Sequence, residues 1–438
     1  MRVRSFLMSG GEDYAILLDE DGMPMPYQCL FVTKEYRNTN KASNTCRNAF
    51  EQLKLLEEIC RHLKIDLIER CRTGNFLEKS ELELLARWSK VNVDKLRIEA
   101  IKVKSRNIVS LKPPQKRVES ARATIVGHND SEVLSSTVYT RLTVFAKYIG
   151  WLEETLFPSK GSKSEEFLKS KRPETYMTGA SDVVIDDDYR SLTSEQVRRV
   201  LEVVHPDSEE NPWKSYDLRC RNQLIVLIFQ LLGCRRGELL RIRVRTNNYE
   251  PDIKKNERGT YSVTIRHGLD EDDKRVPKPQ NKTVGRKVPL IKRVAELYED
   301  YLIYSRSQVS GSEFIPYLFI THNHKSSANN ALSLSALNKV FRDISEVVGF
   351  IVDPHSLRHT WNDKFSELMD RKIAAGETNE TKSEADRRKL MGWSDNSREA
   401  QRYAKRHINK RAFEMGEKLQ EEQVKDTEVI QYEKDNPF

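Results

Sequence analysis

Residues 218–243 read LRCRNQLIVLIFQLLGCRRGELLRIR. Apolar side chains occur on nearly every side of a helix over 218–232, which predicts a buried helix, and Gly233 suits its C-terminal cap. A second helix is predicted to begin near Gly237, so Arg235 and Arg236 project from a tight turn on a rigid core. Taken alone, such a pair of arginines usually only solvates a helix–helix corner. Its meaning depends on what else the chain brings to that turn.

The composition indicates a charge-rich globular protein with a negatively charged partner. The 438 residues suffice for two or three compact units, 38% of them are hydrophobic, 32% are charged, and the formal net charge is +8. From Glu414 to the end, acidic residues outnumber basic ones by eight to three, so the rest of the chain is five charges more positive than the total. This distribution favours a polyanionic partner.

Cysteine spacing and apolar runs predict an intracellular protein. The six cysteines form no C-x-x-C pair and several fall in apolar helical patterns, so we expect free thiols in a reducing compartment. The first residues, MRVRSFLMSGG, lack the apolar core of a signal peptide, and no run approaches the ~20 apolar residues of a membrane span. We therefore expect a cytoplasmic location.

Periodicity and composition divide the chain into five segments. Apolar residues at helical spacing begin at Ser43 and again over 136–157, whereas alternation over 260–266 and 286–291 predicts two paired strands. The predicted fold class is therefore mostly α with a small antiparallel β-sheet. The predicted segments are an N-terminal arm or β-hairpin over 1–33, a helical domain over 34–160, a linker over 161–190, a compact α+β domain over 191–413 and an acidic tail over 414–438.

A second motif, DPHSLRHTW at residues 353–361, predicts a helix start. Asp353 is a favourable N-cap and Pro354 suits the first helical position. His355 then lies in the first turn, where unpaired N–H groups and the helix dipole favour an anion, and Arg358 shares its face three residues later. A donor, a fixed cation and a helix N-terminus aimed at one point are typical of a phosphate site.

The third motif is LMGWSDNSREAQRYAKR, residues 390–406. Gly392 is predicted to cap one helix, and a new helix is expected to begin near Ser397. Tyr403 follows Trp393 by ten residues and stands among arginines and lysines. A lone tyrosine usually fills a core or a surface, but in this cationic setting it can meet a phosphate that the cations bind.

In this order the three motifs, with a lysine ahead of the V-P-L strand at 288–290, resemble the tyrosine recombinase (phage integrase) family over residues 191–410. The resemblance implies site-specific cleavage and rejoining of DNA through a 3′-phosphotyrosyl intermediate, without metal, cofactor or ATP. It also implies that a core-binding domain, here 34–160, and a catalytic domain, here 191–413, close as a clamp on double-stranded DNA. Carried over to this sequence, the catalytic residues are Arg235, Lys282, His355, Arg358, Trp393 and Tyr403, with Glu238 as a supporting acid.

The lysine is chosen from three candidates in PKPQNKTVGRKVPL, residues 277–290. Lys282, seven residues before Pro289, best resembles the turn of the family; Lys278 is the alternative and Lys287 the third candidate. The connection that precedes it is longer than the hairpins of compact family members.

The chemistry of phosphoryl transfer explains why these residue types would meet. Negative charge accumulates on the nonbridging oxygens in the transition state, and guanidiniums bind such oxygens while staying protonated. Trp393 can donate without titrating, a lysine can protonate the leaving oxygen, and His355 can serve as base or as donor. Metal binding is not expected, because His322 and His324 lack acidic or cysteine partners nearby.

The resemblance points to an integrase of a bacterial mobile element, nucleoid-associated when bound, acting as a homo-tetramer on paired DNA sites. An accessory DNA-bending or directionality protein is a further expected partner. Two alternatives stay open: a type IB-like topoisomerase or resolvase that uses the same residues, and an architectural DNA-binding protein without catalysis. The basic stretch 101–124 is equally compatible with a solvated loop and with a DNA backbone contact surface.

Overall fold

The structure, a computed structural model, describes residues 1–92, 133–173, 191–322, 330–395, 397 and 399–425. It contains two compact units, Met1–Asp188 and Tyr189–Phe438, each with its own hydrophobic core. The basic stretch 101–124 and most of the predicted linker lie outside the described residues. The predicted fold class is confirmed, because helices dominate both units and each unit contains one small antiparallel sheet.

The first unit begins with a β-hairpin and a short helix. Strand β1 (Arg2–Leu7) pairs antiparallel with the largely buried β2 (Asp13–Leu18), and helix α1 (Pro26–Val32) follows. The second apolar run of the predicted hairpin, which includes residues 26–32, is therefore a helix. The reason is Pro26 at the first helical position, where the proline ring presets φ and the missing N–H is not needed.

The two long helices predicted from periodicity are the centre of the first unit. Apolar residues of the first of them are completely buried, Leu53 and Ile59 among them. A short helix over residues 164–170 lies inside the predicted linker and buries Leu168. The linker prediction is wrong for that part, because a segment that packs on the core is not a spacer. The helices are α2 (Ser43–Leu63), α3 (Leu67–Arg72), α4 (Lys79–Trp88), α5 (Ser135–Leu156) and α6 (Ser164–Ser170).

The second unit is built around the buried helix that the sequence predicts. Helix α8 (Tyr216–Leu232) follows α7 (Ser194–Val204) and ends at Gly233, which adopts a left-handed φ of 55°. The short helix α9 (Arg236–Leu240) begins directly after the turn. The prediction of two helices with Arg235 between them is confirmed.

Three strands form the sheet of the second unit, in the order β3 (Ile253–Lys255), β4 (Tyr261–Ile265) and β5 (Arg286–Leu290). The last two are the predicted pair, and Val263 lies opposite Val288 in the core. The third strand, β3, is too short for its alternation to be recognised in the sequence.

The remaining helices of the second unit surround α8 and the sheet. The last one begins before Tyr403 and continues through the first part of the predicted acidic tail, residues 414–425. These helices are α10 (Lys292–Asp300), α11 (Leu334–Val348), α12 (Pro354–Ala374), α13 (Glu380–Met391) and α14 (Glu399–Lys425).

The cysteines agree with the free thiols expected from the sequence. All six cysteines are unpaired thiols, and burial raises the pKa of Cys71 to about 12, so that this thiol is protonated at neutral pH. None of the helices in the described part of the chain is long and apolar enough to cross a membrane.

The buried carboxyl group of Glu153 makes the stability of the first unit depend on pH. Glu153 is 1% exposed and accepts hydrogen bonds from the hydroxyls of Ser162 (2.5 Å) and Ser164 (2.7 Å), while burial raises its pKa above the ordinary value. The folded unit therefore binds this proton more tightly than the unfolded chain. The resulting stability is present below the unfolded pKa and is lost as the pH rises through the folded pKa.

We expect Glu153→Gln to raise the midpoint of thermal unfolding at pH 7 and to weaken its dependence on pH. The substitution removes a charge that burial disfavours but keeps an oxygen acceptor for the serines. Melting curves between about pH 4 and pH 8, spanning the ordinary titration range of glutamate, measure the effect. Glu154→Gln, at the exposed neighbour, is the matched control. A Glu153→Gln protein that is less stable than wild type at pH 7 would contradict the prediction.

Candidate active site

The turn after α8 fixes Arg235 through Glu238. The Glu238 carboxylate accepts a hydrogen bond from the backbone N–H of Arg235 (3.0 Å), and its other oxygen lies 3.8 Å from the Arg235 guanidinium. Gly233 supplies the positive φ of the turn and is approached closely by the side chains of Trp361 and Met391. Arg235 therefore leaves a rigid turn with 37% of its side chain exposed.

Arg358 reaches the same turn from α12. Its Nη1 donates to the carbonyl oxygen of Gly233, and Trp361 Nε1 donates to the carbonyl oxygen of Leu231 (3.0 Å), so these bonds fix α12 on the end of α8. Arg358 is 4% exposed, and burial, followed by the charge of Arg235, lowers its pKa to about 10. The guanidinium still carries its proton at neutral pH. The two arginines predicted for the site therefore meet at one turn.

The start of α12 differs from the predicted phosphate cradle. Asp353 is the N-cap, as predicted, and its carboxylate accepts hydrogen bonds from the backbone N–H groups of His355 and Ser356, both at 2.7 Å. This carboxylate already accepts from both donors, and its negative charge compensates the positive end of the helix dipole. The helix N-terminus therefore does not present a free anion site. That part of the prediction is wrong, although Arg358 remains in the site.

Trp393 and Tyr403 form a stacked pair beside Arg358. Their ring centroids are 5.5 Å apart with an interplanar angle of 13°, and the Arg358 guanidinium lies 5.6 Å from the centroid of the Trp393 ring. Both aromatic residues are buried. Ionised Tyr403 would raise the pKa of Arg358, so the phenol lies within electrostatic reach of this guanidinium. The aromatic pair of the third motif therefore lies beside Arg358 of the second motif.

His359 lies between His355 and Tyr403 and is a candidate that the family resemblance did not assign. The ring centroids of His359 and Tyr403 are 5.3 Å apart, and those of His355 and His359 are 4.2 Å apart. Through these contacts, His355 is linked to the tyrosine by way of His359. The sequence could have indicated His359 by its spacing, because it follows His355 by four residues and therefore shares its helix face.

Two of the three lysine candidates, Lys278 and Lys287, differ in burial and in their contacts. Lys278 is 6% exposed, and its Nζ donates to the carbonyl oxygen of Glu271 (2.7 Å). Lys287 is exposed on β5, opposite Thr264 of β4. The bond of Lys278 fixes the long connection between β4 and β5 and gives this lysine a structural role.

Lys282 belongs to a segment that is bonded to two of the motifs. The hydroxyl of Thr283 donates to Glu238 (2.6 Å), and the N–H of Val284 donates to the carbonyl oxygen of Gly392 (2.9 Å). Lys282 itself is exposed. A lysine with an exposed side chain on an anchored segment can turn towards a ligand, so Lys282 remains the preferred candidate.

Arg286 is a buried cation that the motifs do not mark. Its guanidinium donates to the Glu238 carboxylate at 2.8 Å. Alternation along β5 places Arg286 on the buried face with Val288 and Leu290. The signal in the sequence was therefore an arginine at an inward-facing strand position, where an apolar residue is expected.

Three buried N–H groups of the site have no hydrogen-bond acceptor among the described residues. They are Arg235 Nη1, Arg358 Nη2 and Trp393 Nε1, one from each of the three motifs. Such donors are rare in folded proteins, and each costs about 1–3 kcal/mol. Since two of the three belong to cations, the arrangement suits an anion with several oxygens, such as a phosphate group.

The described residues hold no group of three or more His, Cys, Asp or Glu side chains that could bind a metal ion. His322 instead shares a hydrogen bond with the Tyr301 hydroxyl (3.0 Å), while His324 lies outside the described residues. The donor set of the site is cationic and suits an anion.

The chain is similar to several solved structures, three of which are described here. No family model and no curated protein matches the chain. The XerH site-specific recombinase bound to difH substrate, in a pre-cleavage complex, is 16% identical, with 88% of this chain and 93% of that chain covered and a TM-score of 0.42. The XerA recombinase is 13% identical (86% and 92% covered, TM-score 0.31). The Tn1549 transposon integrase with circular intermediate DNA is 14% identical (80% and 97% covered, TM-score 0.33).

The resemblance predicted from the motifs is confirmed as a likeness. All three similar structures are recombinases or integrases by name. The chemistry proposed below is argued from the side chains of the site.

Gly237 is the point at which the segment before Lys282 crosses the first motif. A Cβ at Gly237 would lie much closer than 3.0 Å to the backbone carbonyl of Gln280, a contact that real Cβ atoms essentially never show. We expect Gly237→Ala to displace this segment and to lower the free energy of unfolding by about 1–3 kcal/mol, as overpacking does elsewhere. Urea denaturation measures the loss. The matched control is Gly416→Ala in α14, where nothing lies within 4 Å; equal stability of the two variants would argue against the crossing.

Proposed function

We propose that this protein is a DNA strand transferase of the tyrosine recombinase type, in which the Tyr403 oxygen attacks a DNA phosphodiester. The observation that supports this proposal is the convergence of three unpaired buried donors beside a tyrosine. A phosphodiester offers charged nonbridging oxygens, which are the acceptors that such donors require. The positive charge of the chain before its acidic end agrees with a nucleic-acid partner.

The two arginines bind and polarise the phosphate. Arg235, partly exposed, can meet the DNA as it arrives, whereas the buried Arg358 is held by the Gly233 carbonyl and keeps Nη2 for the ligand. Both guanidiniums remain charged through the reaction, so they stabilise the charge that develops on the nonbridging oxygens. Preorganised donors of this kind each contribute about 10²–10³-fold in rate.

The reaction is balanced without an external energy source. The Tyr403 oxygen forms a bond to phosphorus and loses its proton, while the bond from phosphorus to the 5′-oxygen breaks. The products are a 3′-phosphotyrosyl link and a 5′-hydroxyl, so one phosphate ester replaces another and the reverse attack rejoins a strand. The proton from tyrosine can pass to the histidine rings beside it, and Lys282 can protonate the leaving oxygen.

The proposal extends to assembly and biological role. From the sequence resemblance we infer that residues 34–160 bind core DNA, that four protomers act on two paired sites, and that the protein integrates or excises a mobile element. A topoisomerase with the same chemistry would act as a monomer and relax supercoils. The mass of the complex on DNA therefore distinguishes the two roles.

Detection of covalent protein–DNA adducts tests the reaction and, in the same experiment, identifies the DNA target. We expect cells that express the protein to contain protein–DNA adducts that resist denaturant and disappear with protease. Sequencing of the attached DNA ends gives the target, and mass spectrometry of the digested adduct gives the linked residue, expected to be Tyr403.

Two variants make the adduct experiment decisive. Tyr403→Phe should abolish adducts, because it removes the nucleophilic oxygen, whereas Tyr304→Phe, at an exposed tyrosine of the same unit, should leave them unchanged. Adducts that persist in Tyr403→Phe, or DNA attached through its 5′ end, would falsify the assignment of the nucleophile.

Trp393→Phe tests the neutral donor. The phenylalanine ring can still stack on Tyr403, but the unpaired Nε1–H is lost, so we expect cleavage to slow about a hundredfold with no loss of stability. Trp361→Phe is the matched control, because it loses the structural bond to Leu231. It should lower stability by about 1 kcal/mol while leaving the phosphate donors in place. Single-turnover cleavage and thermal melting separate the two variants, and a Trp393→Phe protein that cleaves at the wild-type rate would remove Trp393 from the chemistry.

A further inference from the structure

We propose that Arg286 is a positioning residue that neutralises Glu238 and so keeps Arg235 available to the DNA phosphate. The inference rests on the proposed function, since it names what keeps the Arg235 guanidinium from forming a hydrogen bond with Glu238. It also assigns a purpose to a buried ion pair that none of the three motifs contains.

The first step is competition for Glu238. Arg286 donates to both carboxylate oxygens, from Nη2 at 2.8 Å and from Nη1 at 3.3 Å. The nearest approach between Glu238 and the Arg235 guanidinium is 3.8 Å, which is too long for a hydrogen bond. Glu238 holds Arg235 through its backbone N–H instead. The carboxylate thus fixes the position of Arg235 without occupying its guanidinium.

The second step is the position of Arg286 among the motifs. Its Nε donates to the carbonyl oxygen of Leu390 (2.6 Å), and its Nη1 also donates to the Thr283 hydroxyl (3.2 Å). A Cβ on Gly392 would lie 2.7 Å from Nη1, so the guanidinium packs directly on the glycine before Trp393. Arg286 therefore joins Glu238, the segment of Lys282 and the segment of Trp393 at one point.

The third step is burial. The side chains of Arg286 and Glu238 are 4% and 0% exposed. Burial opposes ionisation of Glu238, but its hydrogen bonds and ion pair with Arg286 outweigh burial and hold its pKa below the ordinary value. If Arg286 were removed, an uncompensated carboxylate would remain in the interior. The nearest replacement partner is the Arg235 guanidinium, whose capture would remove it from the phosphate.

A double-mutant cycle tests this mechanism. We expect Arg286→Met to slow cleavage about a hundredfold, comparable to the loss of Arg235 itself, because Glu238 then binds that guanidinium. Glu238→Gln alone should slow cleavage less, since the amide oxygen can still accept from the Arg235 backbone. The double variant Arg286→Met/Glu238→Gln should cleave at least tenfold faster than Arg286→Met, because no carboxylate remains to capture Arg235.

The rescue distinguishes positioning from a merely structural role. If Arg286 only held the fold together, removal of a second partner would make the double variant no faster than Arg286→Met, and the proposal would be overturned. Thermal melting is measured in parallel. Should Arg286→Met fail to fold, Arg286→Gln replaces it: glutamine keeps a polar side chain with an N–H donor but carries no charge to neutralise Glu238, so the same cycle with Glu238→Gln applies.

A readout without catalysis separates this inference from the proposed function. Inorganic phosphate should raise the melting temperature of the wild-type protein. The increase should be smaller for Arg286→Met, and for the double variant it should be larger than for Arg286→Met. Wild-type adducts on Tyr403 without rescue in the cycle would refute the role of Arg286 alone. Absence of wild-type adducts would refute the proposed function, and the phosphate series would still decide whether Arg286 controls access to Arg235.

Discussion

The site depends on one buried carboxylate, that of Glu238. It receives bonds from the backbone of Arg235, from the hydroxyl of Thr283 and from the guanidinium of Arg286, so it joins the turn after α8 to the segment 283–286. A buried carboxylate without partners would be prohibitively costly, so the two segments must assemble together or not at all. The geometry of the phosphate site is therefore coupled to the folding of the second unit.

The site also retains unfavourable electrostatics that an anion would relieve. Burial, and then the charge of Arg235, lowers the pKa of Arg358 to about 10, which corresponds to roughly 3 kcal/mol. Glu238 is already engaged by Arg286, and so it does not cancel the charge of both Arg235 and Arg358. A phosphate group bound between these guanidiniums would supply the missing charge. Binding of the phosphate would therefore relieve this unfavourable free energy, and the relief would contribute to the affinity for the ligand.

Much of the fold and of the site could be predicted from the sequence, because short-range patterns encode it. Gly233 and Asp353 mark helix ends, and alternation marks β5. The rest depends on contacts between distant residues. The N-cap prediction for Asp353 already implied that its carboxylate takes the first-turn N–H groups, and the predicted phosphate cradle did not allow for this. The sequence did not show that His359 faces Tyr403, because the register of α12 against α14 comes from tertiary packing.

The long connection between β4 and β5 is fixed to the second unit by a buried cation. Arg275 forms an ion pair with Asp273 and donates to the carbonyl oxygens of Leu240 and Leu332, so the connection is bound to the core. The ion pair itself lies within the connection. The chain then returns to a fixed point, since Asn281 Oδ1 accepts from the backbone N–H of Thr283. The length of this connection therefore does not loosen the segment that follows it. The backbone at Lys282 is held by the bonds of its neighbour Thr283, including the bond to Glu238, whatever the length of the connection.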